Sequence, residues 1–235
     1  MTEFTTWRSL VDGAEISDIP DSEVYRWPAD EGNGQTLNAE VGDIDISLNF
    51  ERWASDANYV GGVAPNYDGT SDRGVSDTNI SELNPRNSFS FEMWIDIDPN
   101  DVSTSDCLAF HAVDGDEQWG IGINQDTGDD ISFAIRDPND DNPSNVGASF
   151  AAGLHQLVLT WDATTGTQTA YFNTSEVTDS GNMDETGSPE NDELFLAQRS
   201  DGLHNSDVII DICRGFDEEL SQSQVEDLFN LHPST

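Results

Sequence analysis

The chain has 235 residues and a formal net charge of −39, from 47 acidic residues against 8 basic ones, all of them arginine. Nucleic acids and anionic membranes would be repelled by this charge, which argues against both as partners. Such a charge is also found in disordered chains. Here, however, the aromatic content of 9% is arranged in periodic strands, which favours a folded protein.

The acidity predicts a protein adapted to high salt. Like charges repel one another in dilute buffer, whereas in molar salt the Debye length falls to about 3 Å and the repulsion is screened. We therefore expect a source such as a halophilic archaeon or its virus, with synthesis in a high-salt cytoplasm. No apolar run approaches the length of a membrane-spanning segment, so no membrane insertion is expected.

The first 22 residues are predicted to form an arm ahead of a single domain over residues 23–235. Trp7, Leu10 and Val11 would let the arm dock on a partner protein or drape over the domain itself. The arm lacks the basic region and continuous apolar region of a signal peptide. We expect no cleaved leader, and a final location on a virion or extracellular surface.

Short strands separated by Gly, Asn and Asp turns fill most of the remaining chain. The predicted strands lie at 24–27, 44–48, 59–75 (with an internal Asp-Gly turn), 89–97, 108–113, 119–123, 131–135, 154–161, 169–172, 194–198 and 208–216. One helix is predicted at Ser221–Phe229, with Ser221 as its N-cap. Strands at this spacing predict an all-β fold, a two-sheet antiparallel β-sandwich (jelly roll) with one short C-terminal helix.

The clearest strand is Phe89–Ile97. Its apolar residues recur at every second position, so one face of the strand should lie in the core. Ser90, Glu92 and Asp96 fall on the other face. Trp94 also falls on that polar face and breaks the pattern.

The two cysteines, Cys107 and Cys213, are too few for a disulfide framework and lack a CxxC metal spacing. One bridge would form if their strands were neighbours. Two free, buried thiols are the favoured alternative.

Four stretches, in order along the chain, resemble the laminin-G-like, concanavalin A-like lectin/glucanase domains of bacterial and phage proteins. Residues 24–42 (VYRWPADEGNGQTLNAEVG) are similar to the opening strand and the W-x-x-D-E-G-x-G turn of that family. Residues 66–97 are similar to its F-D-G-x-x-D-Y-V strand, spacer and F-T-x-x-x-W-V strand. Residues 153–177 are similar to its W-H-x-x-x-T-Y-D-G hairpin, and residues 208–229 to its closing strand and helix. Residues 202–207 depart from the family's G-x-F-x-G pattern.

The resemblance implies two antiparallel sheets, a curved front face that binds glycans in many relatives, and often a structural calcium ion. By resemblance, the calcium ligands would be Asp211 in the closing strand and Asp30 in the turn at Asp30–Gly34. Asp211 lies between isoleucines, and a buried carboxylate is costly unless it is paired or metal-bound. Arg26 or Arg214 would be the alternative partner.

A sugar site of this fold class combines an aromatic ring, which stacks on the pyranose, with polar groups that bond its hydroxyls. Trp94, Glu92, Asn124 and Arg136 project from the non-core faces of three successive predicted strands, so we expect them to meet on one open sheet surface. The alternative is that Trp94 is covered by the long loops as a second small core. Those loops are predicted at Asp137–Gly147 and Asp179–Asp192.

Hydrolytic relatives place an E-x-D-x-x-E series on one strand face. The best local candidate is Glu92 with Asp96 and Asp98, but neither the residue types nor the spacing match. We therefore expect no enzyme activity.

These observations predict a binding or adhesion module on a virion surface that contacts host glycans or glycoproteins. We expect it to form a homo-oligomer and to contact other virion or surface proteins through residues 1–22. The alternatives are a purely structural capsid turret or decoration protein without a sugar site, and a glycan hydrolase of the same fold.

Overall fold

A computed structural model describes residues 19–102, 106–113, 116–123, 130–135, 146–177, 193–199, 202 and 204–234. The described residues form two antiparallel sheets of eight strands each. They also contain one α-helix, close to the C-terminus. The predicted β-sandwich with a short C-terminal helix is confirmed. Most of the predicted N-terminal arm lies outside the described residues. In the described part of the chain, no helix has the length and apolarity needed to cross a membrane.

The first sheet, sheet A, contains the strand that the sequence marks most clearly. Its order across the sheet is β14 (Ser175–Glu176), β13 (Thr167–Phe172), β12 (Gly153–Asp162), β7 (Phe89–Ile97), β16 (Asp207–Phe216), β5 (Val63–Asp68) and β4 (Trp53–Ser55). β1 (Glu23–Trp27) also pairs with β16. β7 and β12 pair along their whole shared length, from Gly153 opposite Ile97 to Trp161 opposite Phe89.

The second sheet, sheet B, faces sheet A across the core. Its order is β11 (Val146–Ser149), β10 (Asp130–Ile135), β9 (Asp116–Ile123), β8 (Cys107–Val113), β15 (Glu193–Leu196), β6 (Gly74–Ser76), β3 (Ile46–Leu48) and β2 (Thr36–Leu37). Short 3-10 turns at Val60–Gly62 and Ser81–Leu83 precede β5 and β7.

The core lies between the inner faces of the two sheets. β7 contributes its alternate residues, Phe89 to Ile97, all at most 3% exposed. Ile123 of β9 and Ile135 of β10 belong to the same cluster, as their parity predicts. Period-two alternation therefore identified the inward-facing side of these strands correctly.

Sheet A is also covered on its outer face. Ser221 is the N-cap of helix α1 (Gln222–Asn230), and its side chain forms a capping box with that of Gln224. Leu220, Val225 and Leu228 form one buried cluster with side chains of β12, β13 and β16. The sheet face on which polar residues alternate is thus closed over much of its area by the chain's own C-terminal segment.

Cys107 and Cys213 are both buried, and neither forms a disulfide. They lie in different sheets, in β8 and β16 respectively. The favoured alternative of two unbridged, buried thiols is confirmed.

Candidate functional site

Trp94 lies on the outer face of sheet A, as predicted, but that face is not open at this point. The indole is 1% exposed and clusters with Val60 and Ile212. It stacks on the His232 imidazole with ring centroids 3.8 Å apart and contacts the Phe229 ring at 5.3 Å. The expectation of an exposed platform is therefore wrong, and the second small core is what the structure contains. Helix α1 and the residues after it cover Trp94, whereas the alternative predicted that the long loops would do so.

Glu92 is completely buried beside Trp94. Its Oε1 accepts hydrogen bonds from Trp94 Nε1 at 3.1 Å and Gln156 Nε2 at 2.7 Å, and its Oε2 accepts one from an Arg214 guanidinium nitrogen at 2.6 Å. A buried carboxylate held this way is balanced by its partners. It has no access to a substrate, so neither the sugar role nor the catalytic role considered for Glu92 fits this position.

Asn124 and Arg136 lie outside the described residues. The strands that precede them, β9 and β10, belong to sheet B, whereas β7 with Trp94 and Glu92 belongs to sheet A. The strands that were expected to form one sheet surface, β7, β9 and β10, are therefore divided between two sheets. Alternation along a strand tells which side chains face inward, but it does not tell which of two sheets the strand joins.

Asp211 is buried in β16, and neither Arg26 nor Arg214 is its hydrogen-bonding partner. Both carboxylate oxygens accept the Val60 N–H, at 2.9 and 3.0 Å, and Oδ2 lies 2.7 Å from His232 Nε2. Burial raises the pKa of Asp211, while the His232 and Val60 hydrogen bonds act in the opposite direction. Arg26 instead pairs with Glu23.

These surroundings do not fit calcium at Asp211, because Ca²⁺ takes six to eight oxygen ligands and an imidazole occupies one side of this carboxylate. Asp30 is exposed and packs against Gly61, where an added Cβ would lie 2.5 Å from the Asp30 Cβ. Gly61 also has a φ of +69°, so this close approach requires glycine. Among the described residues, no group of three or more His, Cys, Asp or Glu is placed to hold a metal ion. Calcium at the turn that contains Asp30 stays a prediction.

The outer face of sheet A is open at one end, where β7 ends. Here four neighbouring strands, in the order β12, β7, β16 and β5, form a cleft of about 330 Å³ that we call the acidic cleft. Its lining residues are Asn66, Asp96, Ile97, Asp98, Asp101, Ala152, Gly153, Asp207, Val208 and Ile209.

Strand pairing places the central groups of the acidic cleft on one face. Ile209 of β16 lies opposite Asp96 of β7 on one side and Asn66 of β5 on the other. Their chain neighbours Ile95 and Val208 belong to the core cluster, so these three side chains face outward. The arrangement combines one apolar side chain, one amide and one carboxylate on a rigid sheet.

The charged side chains that line the acidic cleft are all carboxylates. Burial raises the pKa of Asp207, and the nearby charges of Asp101 and Asp68 raise it further. Tyr59 Oη donates a hydrogen bond of 2.7 Å to Asp96 Oδ2, which orients this carboxylate. Burial and that hydrogen bond both raise the pKa of Tyr59 above its usual value. The lining contains no basic side chain.

Sequence reasoning missed the acidic cleft as a site. In the sequence, Asp96 and Asp98 stand out only through their spacing from Glu92, and nothing in the pattern marks Asn66 or Asp207. Spacing along the chain could not have revealed the cleft, because its residues come from four strands that are adjacent only in space.

A second depression, of about 500 Å³, lies at the other end of β7. Its lining is polar and carries both signs of charge, from Glu82, Arg86 and Asp217 together with Asn87, Ser88, Ala163 and Thr164. Arg86, Asn87 and Asp217 are exposed. The one apolar side chain in its lining is that of Ala163.

A family model described as the concanavalin A-like lectin/glucanases superfamily matches residues 68–226, well over half of the chain. Comparison with curated protein sequences gave no match.

Solved structures share the fold at low sequence identity. The Trypanosoma rangeli sialidase in complex with sialic acid is 15% identical with a TM-score of 0.68, over 92% of this chain and 34% of the sialidase. A structure of botulinum neurotoxin type C, described by its dependence on two ganglioside molecules for cell entry, is 17% identical with a TM-score of 0.64. That match covers 92% of this chain and 52% of the toxin chain. The chain thus spans about a third to about half of these structures, and the likeness concerns the fold.

Proposed function

Because the chain belongs to the concanavalin A-like lectin/glucanase superfamily, we propose that it is a non-catalytic binding and adhesion module that takes a glycan or glycoprotein ligand at the acidic cleft. The observation that carries this proposal is the open end of sheet A, where four strands form a cleft of about 330 Å³. That volume falls within the range of about 300–1,000 Å³ typical of small-molecule sites.

The chemistry of the acidic cleft suits sugar hydroxyl groups. A carboxylate accepts hydrogen bonds from adjacent hydroxyls, and an amide such as that of Asn66 both donates and accepts. Ile209 offers an apolar surface for the C–H face of a sugar ring. Because these groups stand on paired strands, little ordering is needed when a ligand binds, which limits the entropic cost.

The charge of the cleft selects the class of sugar. Four carboxylates line it without a basic residue, on a chain of net charge −39. A sialylated or uronic acid-containing glycan would meet like charge, whereas a neutral sugar or an amino sugar would not. The ligand we propose is therefore neutral or cationic, although the similar solved structures include a sialidase bound to sialic acid.

A glycan array in molar potassium chloride tests this proposal. The wild type should bind neutral or amino sugars saturably, and Asp96→Asn should weaken the binding about tenfold or more, because a hydrogen bond to a charged group is worth about 1.5–3 kcal/mol. Asp217→Asn removes the same charge in the second depression and serves as the matched control. Binding of sialylated glycans alone would overturn the ligand class. Equal binding by both variants would place the site elsewhere.

A glycan hydrolase remains the alternative within this fold. Glu92 is buried, so the carboxylates of the acidic cleft would be the catalytic candidates. Measuring the release of reducing sugar from each bound glycan separates the two functions. Turnover that Asp96→Asn abolishes while Asp217→Asn retains it would favour the enzyme.

The setting we propose is the surface of a virion in a high-salt environment, where the module would contact host glycans. Its support is the net charge, which suits molar salt. Antibody against the chain should then label purified particles, and labelling of host envelopes but never of virions would contradict this setting. Symmetric self-association without any glycan binding would favour a purely structural decoration protein.

A further inference from the structure

The turn between β1 and β2 exposes an asparagine followed directly by a glycine, Asn33–Gly34. Gly34 has a φ of +87°, and a Cβ added there would meet nothing within 4 Å. Its carbonyl oxygen accepts a 3.3 Å hydrogen bond from Trp53 Nε1. Among the described residues the Gly34 N–H has no hydrogen-bond partner. The space beside the Gly34 Cα is therefore open, and its backbone N–H is unengaged.

The Asn33 side chain is held only at its amide nitrogen. Nδ2 donates a 3.1 Å hydrogen bond to the carbonyl oxygen of Glu31, in an exposed position. A side chain held by one exposed hydrogen bond can turn towards its own main chain when that bond opens.

Asp68–Gly69 is another described pair in which Asp or Asn precedes glycine. Unlike Asn33–Gly34, it is held in place by its surroundings. The Asp68 carboxylate accepts hydrogen bonds from both the N–H and the hydroxyl of Thr70, at 3.0 and 2.6 Å. A Cβ on Gly69 would lie 3.1 Å from the Asp207 backbone nitrogen. The side chain is fixed and the glycine is crowded, so the features found at Asn33–Gly34 are absent there.

We propose that Asn33 is a site of spontaneous deamidation. The Gly34 backbone nitrogen attacks the Asn33 Cγ, so that an N–Cγ bond forms, the Cγ–Nδ2 bond breaks, and Nδ2 leaves as ammonia with the proton from the Gly34 amide. Water then opens the resulting five-membered succinimide at either carbonyl, which yields aspartate or isoaspartate at position 33. Glycine favours this step because it has no Cβ to obstruct the approach and its backbone is permissive.

The modification has consequences for the turn. It adds one negative charge to a chain that already carries −39. It also removes the donor that Asn33 supplies to the Glu31 carbonyl. The isoaspartyl product inserts a methylene group into the main chain, which displaces the Gly34 carbonyl from Trp53 Nε1 and detaches the turn from β4.

Peptide mapping by mass spectrometry tests the proposal on the intact, folded protein. After incubation at mildly alkaline pH in molar salt, the peptide containing Asn33 should gain one mass unit and show an isoaspartyl form. The matched control is Asn58, which is also exposed but precedes tyrosine. We expect Asn33 to react at least about tenfold faster than Asn58, which corresponds to about 1.4 kcal/mol in the activation free energy.

Two further measurements complete the test. Asn33→Gln lengthens the side chain by one methylene, so cyclisation would need a six-membered ring and the mass gain at position 33 should disappear. The denatured chain gives the rate without structural influence, and the folded rate should lie within about tenfold of it. A folded rate at Asn33 equal to that at Asn58, or a hundredfold suppression by folding, would overturn the proposal.

Discussion

At the scale of single residues, some carboxylates of this acidic chain lie in the interior and not at the surface. Glu92 and Asp211 are both fully buried; Glu92 pairs with Arg214, and Asp211 lies within hydrogen-bond distance of His232. Removing Arg214 would leave the buried Glu92 charge without compensation, which typically costs about 3–5 kcal/mol. These two acids are part of the interior and do not contribute to the surface charge.

One part of the pH dependence of folding stability can be assigned to a single residue, His111. It is fully buried in β8 and lies parallel to the Trp119 ring at 5.6 Å. Burial lowers the pKa of His111 to about 3, against a smaller opposing effect of the Ile80 backbone. The unfolded chain, with a histidine pKa near 6.5, therefore takes up its proton first. The contribution of neutral, buried His111 to the free energy of unfolding is complete above a pH of about 6.5. It is lost as the pH falls towards about 3.

We expect His111→Leu to remove this dependence, which amounts to about 1.4 kcal/mol per pH unit below the unfolded pKa. The quantity to measure is the difference in unfolding free energy between variant and wild type, from urea titrations at pH 7, 6, 5 and 4. The difference cancels the titration of the many carboxylates. A flat difference for His111→Leu would contradict this explanation, because the histidine would then bind its proton equally in the folded and unfolded states.

At the scale of elements, the sequence predicts best what depends on neighbours along the chain. The bounds of β7 and the N-cap of α1 match because strand alternation and capping are local properties. The division of strands between sheets was not predictable, since β9 and β10 alternate in the same way as strands of sheet A. A cover over Trp94 was among the predicted alternatives, but its source was not, because that depends on where α1 docks.

The docking of α1 should contribute strongly to stability. A helix of nine residues is marginal by itself, so packing must hold it in place. Leu228 is fully buried against the outer face of sheet A, and Leu228→Ala should cost about 2–5 kcal/mol through the lost burial and the cavity. The exposed Glu226→Ala in the same helix should change stability by less than about 0.5 kcal/mol.

Urea midpoints in molar salt measure both variants, and hydrogen exchange in β7 and β16 locates the effect. If Leu228→Ala were as stable as Glu226→Ala, the C-terminal segment would not be an integral part of the fold. If Leu228→Ala lowered the urea midpoint but hydrogen exchange increased only in α1, the helix would open independently of sheet A.

At the scale of the whole molecule, three of the eight arginines form ion pairs with carboxylates in the part of the chain that the structure describes. Arg26 contacts Glu23 and Glu40, Arg52 contacts Asp68 and Asp72, and Arg214 contacts Glu92. These cations compensate particular carboxylates, and 8 basic residues are too few to neutralise the 47 acidic ones. The folded state therefore concentrates negative charge that the unfolded chain would spread over a larger volume.

This repulsion predicts that the fold requires salt. In molar potassium chloride the Debye length is about 3 Å, and at 0.1 M it is about 10 Å, so that charges across the surface of the domain begin to interact. The melting temperature should fall steadily as salt is withdrawn over this range. Sucrose is the informative control, because it favours burial by exclusion from the protein surface but screens no charge. Stability that sucrose restored as well as potassium chloride, or a melting temperature independent of salt, would contradict the electrostatic explanation.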